Sequence, residues 1–299
     1  MASLRDIRKH IHSVKSIRQI TYAMKMVAAA RIKKAQTAIL SSRPFAVEME
    51  HLISDLNDEL SGCGGLSPAA GSLFSERGAA AGARGLVLVT ADKGLCGSFN
   101  SNLLKAAAAW LRENRERKLR VICVGKKSRD FMRRLKGLDL EIDYEMTGIF
   151  PKAGYAHANL LARNILELFA RPEVGSVTLI YNEFKSVLVQ KIVRNELLPL
   201  KRNALAGRGT ARLRDFGFEP EKAALLNVLL PRYVSAQMYR VLLESQAAEL
   251  AARMNAMEAA YKNAAELIDG LTLRLNKMRQ AMITTELNEI VSGAEALGG

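Results

Sequence analysis

The 299-residue sequence is short of the residues that most often announce chemistry. Its three cysteines, Cys63, Cys96 and Cys123, are too few and too widely spaced for a zinc site or a disulfide framework, and a reducing compartment suits them. His10 and His12 stand two apart, which on a helix points them to different sides and argues against a shared metal. Aromatic residues make up only 6%, which leaves no stacking platform for single-stranded nucleic acid. No apolar run approaches the length of a membrane span. The charged start at Arg5, Asp6, Arg8 and Lys9 has no apolar stretch behind it, so a secretory signal is not expected. Acidic residues are outnumbered, 30 against 44 basic ones, and the net charge of +14 suits nucleic acid, an anionic surface or an acidic protein partner. What remains is 49% hydrophobic, enough for a real core in one large or two modest domains.

The dominant pattern lies near the C-terminus. Leu243, Ala247, Leu250, Met254, Met257, Tyr261, Ala264, Ile268, Leu271, Leu275, Met278 and Met282 recur at alternating steps of four and three. This seven-residue repeat predicts a helix whose seam needs a partner wound left-handedly around it. Met and Ala outnumber β-branched residues there, so the seam packs closely and adaptably. Running from residue 221 to 292, with Gly270 the one weak position expected and a glycine-rich end from Gly293, the helix spans roughly 108 Å at about 1.5 Å per residue. A domain of this size cannot contain it. Something outside has to receive the protruding end.

A second long helix is predicted from Ser3, its N-cap, to about Asn57, with Leu4, Ile7, Ile11, Val14, Ile17, Ile20, Met24 and Val27 on one drifting apolar stripe. As far as Arg43 its polar face carries Arg5, Arg8, Lys9, Lys15, Arg18, Lys25, Arg31, Lys33, Lys34 and Arg43 against Asp6 alone, and reads either as a solvated face or as a docking surface for acidic segments. Pro44 is expected to kink it. Residues 60–83, rich in Gly and Ala, read as a linker. Strands at Gly85–Thr90, Leu119–Val124 and Leu140–Glu145 then alternate with helices at Ser101–Glu116, Ser128–Leu135 and Ala156–Ala170, which argues for an α/β layer with a largely parallel sheet. Val177–Asn182 and Ser186–Val193 read as two further strands joined by a tight turn. An irregular basic stretch from Leu197 to Pro220 (Lys201, Arg202, Arg208, Arg212, Arg214) closes the insert.

The insert supplies no catalytic set. The turn Asp92-Lys93-Gly94-Leu95-Cys96-Gly97 follows a strand, as a phosphate cradle does, but lacks the G-x-G-x-x-G spacing. Gly125-Lys126-Lys127-Ser128 has no upstream glycine where a P-loop needs one. Nothing supplies a base for Cys96, and His157 reads as structural. Asp139, Glu141, Asp143 and Glu145 alternate along a strand and read as a solvated sheet face rather than a metal cluster. No cofactor or metal is expected.

The segment Ile283-Thr284-Thr285-Glu286-Leu287-Asn288-Glu289-Ile290-Val291-Ser292-Gly293-Ala294 resembles the C-terminal signature of the gamma subunit of F-type ATP synthases. Ile17-Arg18-Gln19-Ile20-Thr21-Tyr22-Ala23-Met24-Lys25-Met26-Val27-Ala28-Ala29 is similar to that family's first helix, Asp92–Gly97 to its turn motif, and Arg232-Tyr233-Val234 with Ala251-Ala252-Arg253-Met254 to its last helix. The resemblance runs end to end, except over residues 58–83 and 197–220. It implies an α/β fold with a long antiparallel coiled coil: two terminal helices forming a stalk, plus a small Rossmann-like α/β domain. The expected segments are a helix over 1–58, a flexible loop over 59–83, the α/β foot over 84–220, and a helix with the rotor tip over 221–299.

The function implied is that of a central rotor, itself non-catalytic, coupling rotation of the membrane c-ring to ATP synthesis or hydrolysis in the catalytic beta subunits. Alpha, beta and epsilon subunits and the c-ring are the implied partners, with no nucleic acid and no membrane insertion. The implied location is the cytoplasmic face of a bacterial inner membrane, held there through the complex. By the same resemblance, Arg279, Gln280, Thr284 and Glu286 touch beta, Met24, Lys25 and Arg253 lie at rotor contacts, and Leu287, Ile290 and Val291 meet an apolar collar. Met282 is the last clean seam position, since the next fall on Thr285 and Glu289. The rival readings are an α/β enzyme, which lacks its nucleophile or phosphate loop, and a basic coiled coil that binds nucleic acid. Against the latter, basic and acidic residues balance between 243 and 282.

Overall fold

The computed structural model describes residues 3–61, 68–74, 82–150, 152–200, 219 and 222–297. In chain order the elements are α1 (Leu4–Ser61), α2 (Pro68–Phe74), β1 (Ala83–Val89), α3 (Phe99–Glu113), β2 (Lys118–Val124), α4 (Lys126–Met132), β3 (Leu140–Met146), α5 (Tyr155–Ala170), β4 (Val174–Phe184), β5 (Gln190–Leu198) and α6 (Lys222–Leu297). By their contacts they form two units: residues 1–29 with 253–299, and residues 30–252. Residues 30–61 and 222–252, read from sequence as parts of the terminal helices, thus belong by contact with the sheet.

In the larger unit the sheet order is β3-β2-β1-β4-β5, parallel except for β5, which pairs antiparallel with β4. The inner strands β1, β2 and β4 are largely buried because both faces are covered, whereas the edge strands β3 and β5 carry charged residues. The two-residue alternation of side chains sorts each strand between two cores. Leu86 and Leu88 of β1, with Val121 and Cys123 of β2, face the core under α3 and α4. Val87, Val89, Ile122 and Val124 face the opposite core, where Ile53 and Leu56 of α1, Phe169 of α5, and Leu226, Leu230 and Val234 of α6 are buried. The tight turn expected before residue 186 is longer, since β5 begins only at Gln190 after Ser186 closes on Val189.

Three details correct the sequence reading. The span 59–83, expected as a flexible loop, contains α2, whose Leu73 and Phe74 are buried; a run of Pro, Ala and Gly hid two large anchoring residues. Pro231 lies inside α6, a helix breaker that the sequence pattern passes over, while Pro44 lies inside α1, which runs on to Ser61. Helix α6 also runs through Gly293 to Leu297 rather than stopping at Ser292; the glycine penalty of about 1 kcal/mol is small beside the helix formers that follow. Cys63 and the basic stretch Lys201, Arg202, Arg208, Arg212 and Arg214 lie outside the described residues.

Candidate functional site

The smaller unit is built from two helices. Helix α1 starts at Ser3, whose hydroxyl accepts the Asp6 N–H at 3.2 Å while the Asp6 carboxylate accepts the Ser3 N–H at 3.1 Å. This capping box holds the Asp6 carboxyl below its ordinary range through the Ser3 hydrogen bonds. Along α1, Ile7, Val14, Thr21 and Ala28 are buried at a strict seven-residue spacing, with Ile11 between them. The apolar stripe read from sequence drifts off this seam: Ile17, Ile20 and Val27 are each at least half exposed. The winding helix keeps a period of 3.5, and the small residues Thr21 and Ala28 take the inward positions instead.

On α6 the predicted heptads are found where expected, with Met257, Ala264 and Ile268 buried and Met254, Tyr261, Leu271, Leu275 and Met278 half-buried. Val14 packs with Ala264, Ile268 and Leu271. The Tyr22 and Tyr261 rings stand 5.6 Å apart, and Lys25 is ion-paired with Glu258. Positions three back on α1 answer positions three forward on α6, so the pair is antiparallel. Continuing the count sets Leu4, the first helical residue, opposite Arg279.

That register explains where the seam stops. Met278 is the last half-buried seam residue and Met282 is 46% exposed, so the seam ends one position before the Met282 read from sequence, because α1 has run out. From residue 281 to 294 every side chain of α6 is exposed. Ile283, Leu287 and Ile290 follow one another at helical spacing with Val291 beside them, an apolar stripe on a helix that no other described segment of its unit covers. Thr284 and Thr285 return their hydroxyls to the carbonyls of Gln280 and Ala281, which satisfies them locally.

The residues singled out from sequence therefore separate into two groups. Arg279, Gln280, Thr284, Glu286, Leu287, Ile290 and Val291 all stand exposed at or beyond the end of the seam. Met24, Lys25 and Arg253 are half-buried on the paired stretch. Lys25, one cation of the basic face read from sequence, is committed to Glu258, whose hydrogen bond raises its pKa, and the Glu258 carboxyl is lowered in turn. Heptad spacing alone gives no sign of this cross-helix pair, because it appears only once the register is known.

In the larger unit the motif residues prove to be ties. Asp92 accepts backbone N–H groups from Lys126 at 3.0 Å, Gly148 at 2.9 Å and Phe150 at 3.1 Å, joining the ends of three segments. The Ser128 N–H donates to the Thr90 hydroxyl at 2.8 Å. The amides of Lys126 and Ser128 that a phosphate would need are thus already spent on the chain's own oxygens. Cys96 is buried beside Asn100, whose amide approaches the sulfur at 3.2 Å. Burial pushes the Cys123 thiol up to about 12, so it carries no thiolate at neutral pH. His157 accepts the Gly154 N–H at 3.1 Å through Nδ1, at the start of α5.

The acidic row at β3 is only in part the solvated face expected: Asp139 and Glu141 are exposed, while Asp143 and Glu145 are drawn in against arginines. Buried Arg120 pairs with Glu141 and, at 3.1 Å, with Asp143; Arg171 reaches Asp143 at 2.9 Å; Arg133 holds Glu145 through two bonds. Burial nevertheless raises the Asp143 carboxyl, with Arg120 opposing it. Arg120 sits on the strand next door, a pairing that period-two reading of one strand cannot reveal. No cluster of three metal-ligating side chains occurs among the described residues.

The arrangement is a heptad pair with an uncovered helical tip, and an α/β body whose turn motifs are spent on internal ties. A family model described as ATP synthase matches residues 3–297. The chain is 44% identical over 301 residues to an ATP synthase gamma chain of Elusimicrobium minutum, covering 99% of each. It is 45% identical over 299 residues to one of Anaeromyxobacter sp. (strain K), covering 99% of this chain and 100% of that relative. Among solved structures, the central stalk and c-ring of the Tetrahymena thermophila mitochondrial ATP synthase contains a chain 28% identical, with a TM-score of 0.58 over 81% of this chain and 99% of that one. A chain of the Euglena gracilis mitochondrial ATP synthase, 20% identical, shares the fold with a TM-score of 0.65 over 98% of this chain and 94% of that one. With a family match across nearly its whole length and gamma-chain relatives at this identity, the chain belongs to the ATP synthase gamma family.

Proposed function

We propose that this chain is the central rotor shaft of an ATP synthase, linking rotation of a membrane c-ring to ATP synthesis or hydrolysis in catalytic beta subunits and itself performing no chemistry. The observation that carries this reading is the tip of α6: a stripe of Ile283, Leu287 and Ile290 with Val291, each about half exposed or more, beyond the point where α1 ends. An apolar stripe on an unpaired helix needs a sleeve, and a ring of alpha and beta subunits supplies one. In that setting Leu287, Ile290 and Val291 bear on the collar, Arg279, Gln280, Thr284 and Glu286 on beta, and Met24, Lys25 and Arg253 lie lower on the shaft. Because one asymmetric shaft turns among equivalent sites, each site's nucleotide affinity follows the face it meets.

The α/β body serves as the foot, taking the epsilon subunit and the c-ring. Among the described residues no helix is long and apolar enough to cross a membrane, which fits attachment through partners at the cytoplasmic face of a bacterial inner membrane. The nucleic-acid reading finds no support among the relatives. Co-expression with alpha and beta subunits tests the proposal: the chain is expected to purify in one stable complex with them. Recovery of the folded chain alone, at concentrations where alpha and beta assemble with each other, would overturn it.

A further inference from the structure

A cavity of about 450 Å³ opens between the start of α3, the turn joining β4 to β5, and Ala252 of α6. Its polar lining is Ser98, Asn102, Asn182, Lys185, Gln190 and Lys191, and no acidic side chain lines it. Asn182, on β4, is only 3% exposed, and among the described residues its side-chain amide makes no hydrogen bond. What surface its amide keeps faces the cavity, so the amide is satisfied from that side, by water or by an occupant. Two cations stand beside it. Lys185 shares one bond with Glu183 at 2.8 Å but has three hydrogens to give, and Lys191 forms no ion pair among the described residues.

The third wall is the first turn of α3, a 15-residue helix whose N-cap, Ser98, offers no side-chain bond to the backbone N–H groups of that turn. The positive end of the helix is therefore left without a side-chain cap, although its Phe99 N–H donates to the Cys96 carbonyl at 3.2 Å. Other lining groups are already spent: the Gln190 amide donates to the Val187 carbonyl at 2.9 Å, and the Asn102 amide to the Ser98 hydroxyl oxygen at 3.2 Å. Donors thus converge from a sheet, a turn and a helix end on an acid-free space.

We propose that this cavity is an oxyanion site taking the phosphate group of a small molecule, with free phosphate as its smallest occupant. Tetrahedral oxygens can accept from three walls at once, where a planar carboxylate accepts in one plane. The depth of Asn182 favours a group small enough to enter over the side of a protein segment. The site lies wholly within the larger unit and does not depend on the rotor assignment.

The test uses the full chain, titrated with inorganic phosphate against chloride at constant ionic strength, with thermal unfolding as the readout. Phosphate is expected to raise Tm saturably. Lys191→Ala and Asn182→Leu each weaken the apparent affinity by about ten-fold or more, while Lys105→Ala, on the exposed side of α3, leaves it unchanged. Should Asn182→Leu fail to fold, Lys185→Ala and Lys191→Ala carry the test, since both side chains are exposed. A nucleoside monophosphate binding tighter than phosphate identifies a phosphorylated metabolite, and equal affinity identifies phosphate itself. A shift matched by chloride, a phosphate shift that survives Lys191→Ala, or a glutamate-rich peptide outcompeting phosphate at the same lysine would overturn the proposal.

Discussion

Gly125 joins β2 to α4 with φ +91° and ψ 150°, a conformation open to little but glycine. A Cβ built there would stand 2.1 Å from the Thr90 carbonyl oxygen and 2.9 Å from the Thr90 hydroxyl. The obstacle is backbone, and Thr90 is bound in turn: its N–H donates to the Val124 carbonyl at 2.8 Å and its hydroxyl accepts the Ser128 N–H. Nothing there can move alone. Gly125→Ala therefore adds a backbone cost of about 1–3 kcal/mol to an overpacking cost of about 1–3 kcal/mol, together about 2–6 kcal/mol. Gly137 separates the two contributions. It has φ +80°, and a Cβ added there would meet no atom within 4 Å, so Gly137→Ala costs about 1–2 kcal/mol through the backbone alone. Urea unfolding of the purified full chain, read by circular dichroism, compares the variants. A midpoint that falls equally for both would show that the close approach to Thr90 contributes nothing.

Ile268→Asp places a charge on the seam where Ile268 is 7% exposed against Val14, and is expected to cost about 3–5 kcal/mol; unchanged thermal stability would show the register to be wrong. Asp92→Ala removes an acceptor from three backbone N–H groups, two of them at exposed positions, and about 2–3 kcal/mol should be lost in urea unfolding; a loss under about 0.5 kcal/mol would mean water replaces the carboxylate. The Glu258 carboxyl is lowered by its bond to Lys25, so its contribution is present above its ordinary value of 4.5 and is lost as pH falls through the lower folded value. The Tm gap between wild type and Glu258→Gln should be open at neutral pH and close on acidification below pH 4.5, and a gap that persists unchanged into strong acid would rule out the ion pair as its source.

Period and alternation made most of the architecture legible, because burial enforces both. The α6 heptads, the parallel core strands and the Ser3 cap are all local patterns. Register was not local: that Leu4 ends opposite Arg279, that Lys25 meets Glu258 and that Arg120 sits between Glu141 and Asp143 follow from how two segments align. The Ile17–Val27 stripe misled because apolar residues on α1 exceed those its seam can cover, and hydrophobicity alone does not say which way they point. The Asp92 turn was visible as a motif, but its work as a tie to Lys126, Gly148 and Phe150 needed the ends of three segments to be brought together.

The most direct measurement is rotation itself. The chain is assembled with alpha and beta subunits immobilised on a surface, a bead is attached to the foot through Lys105→Cys, and ATP is added. Unidirectional turning of the bead that stops when ATP is withdrawn is the predicted result. ATP hydrolysis that proceeds at full rate while the foot stays still, or while the bead is held fast, would contradict the account.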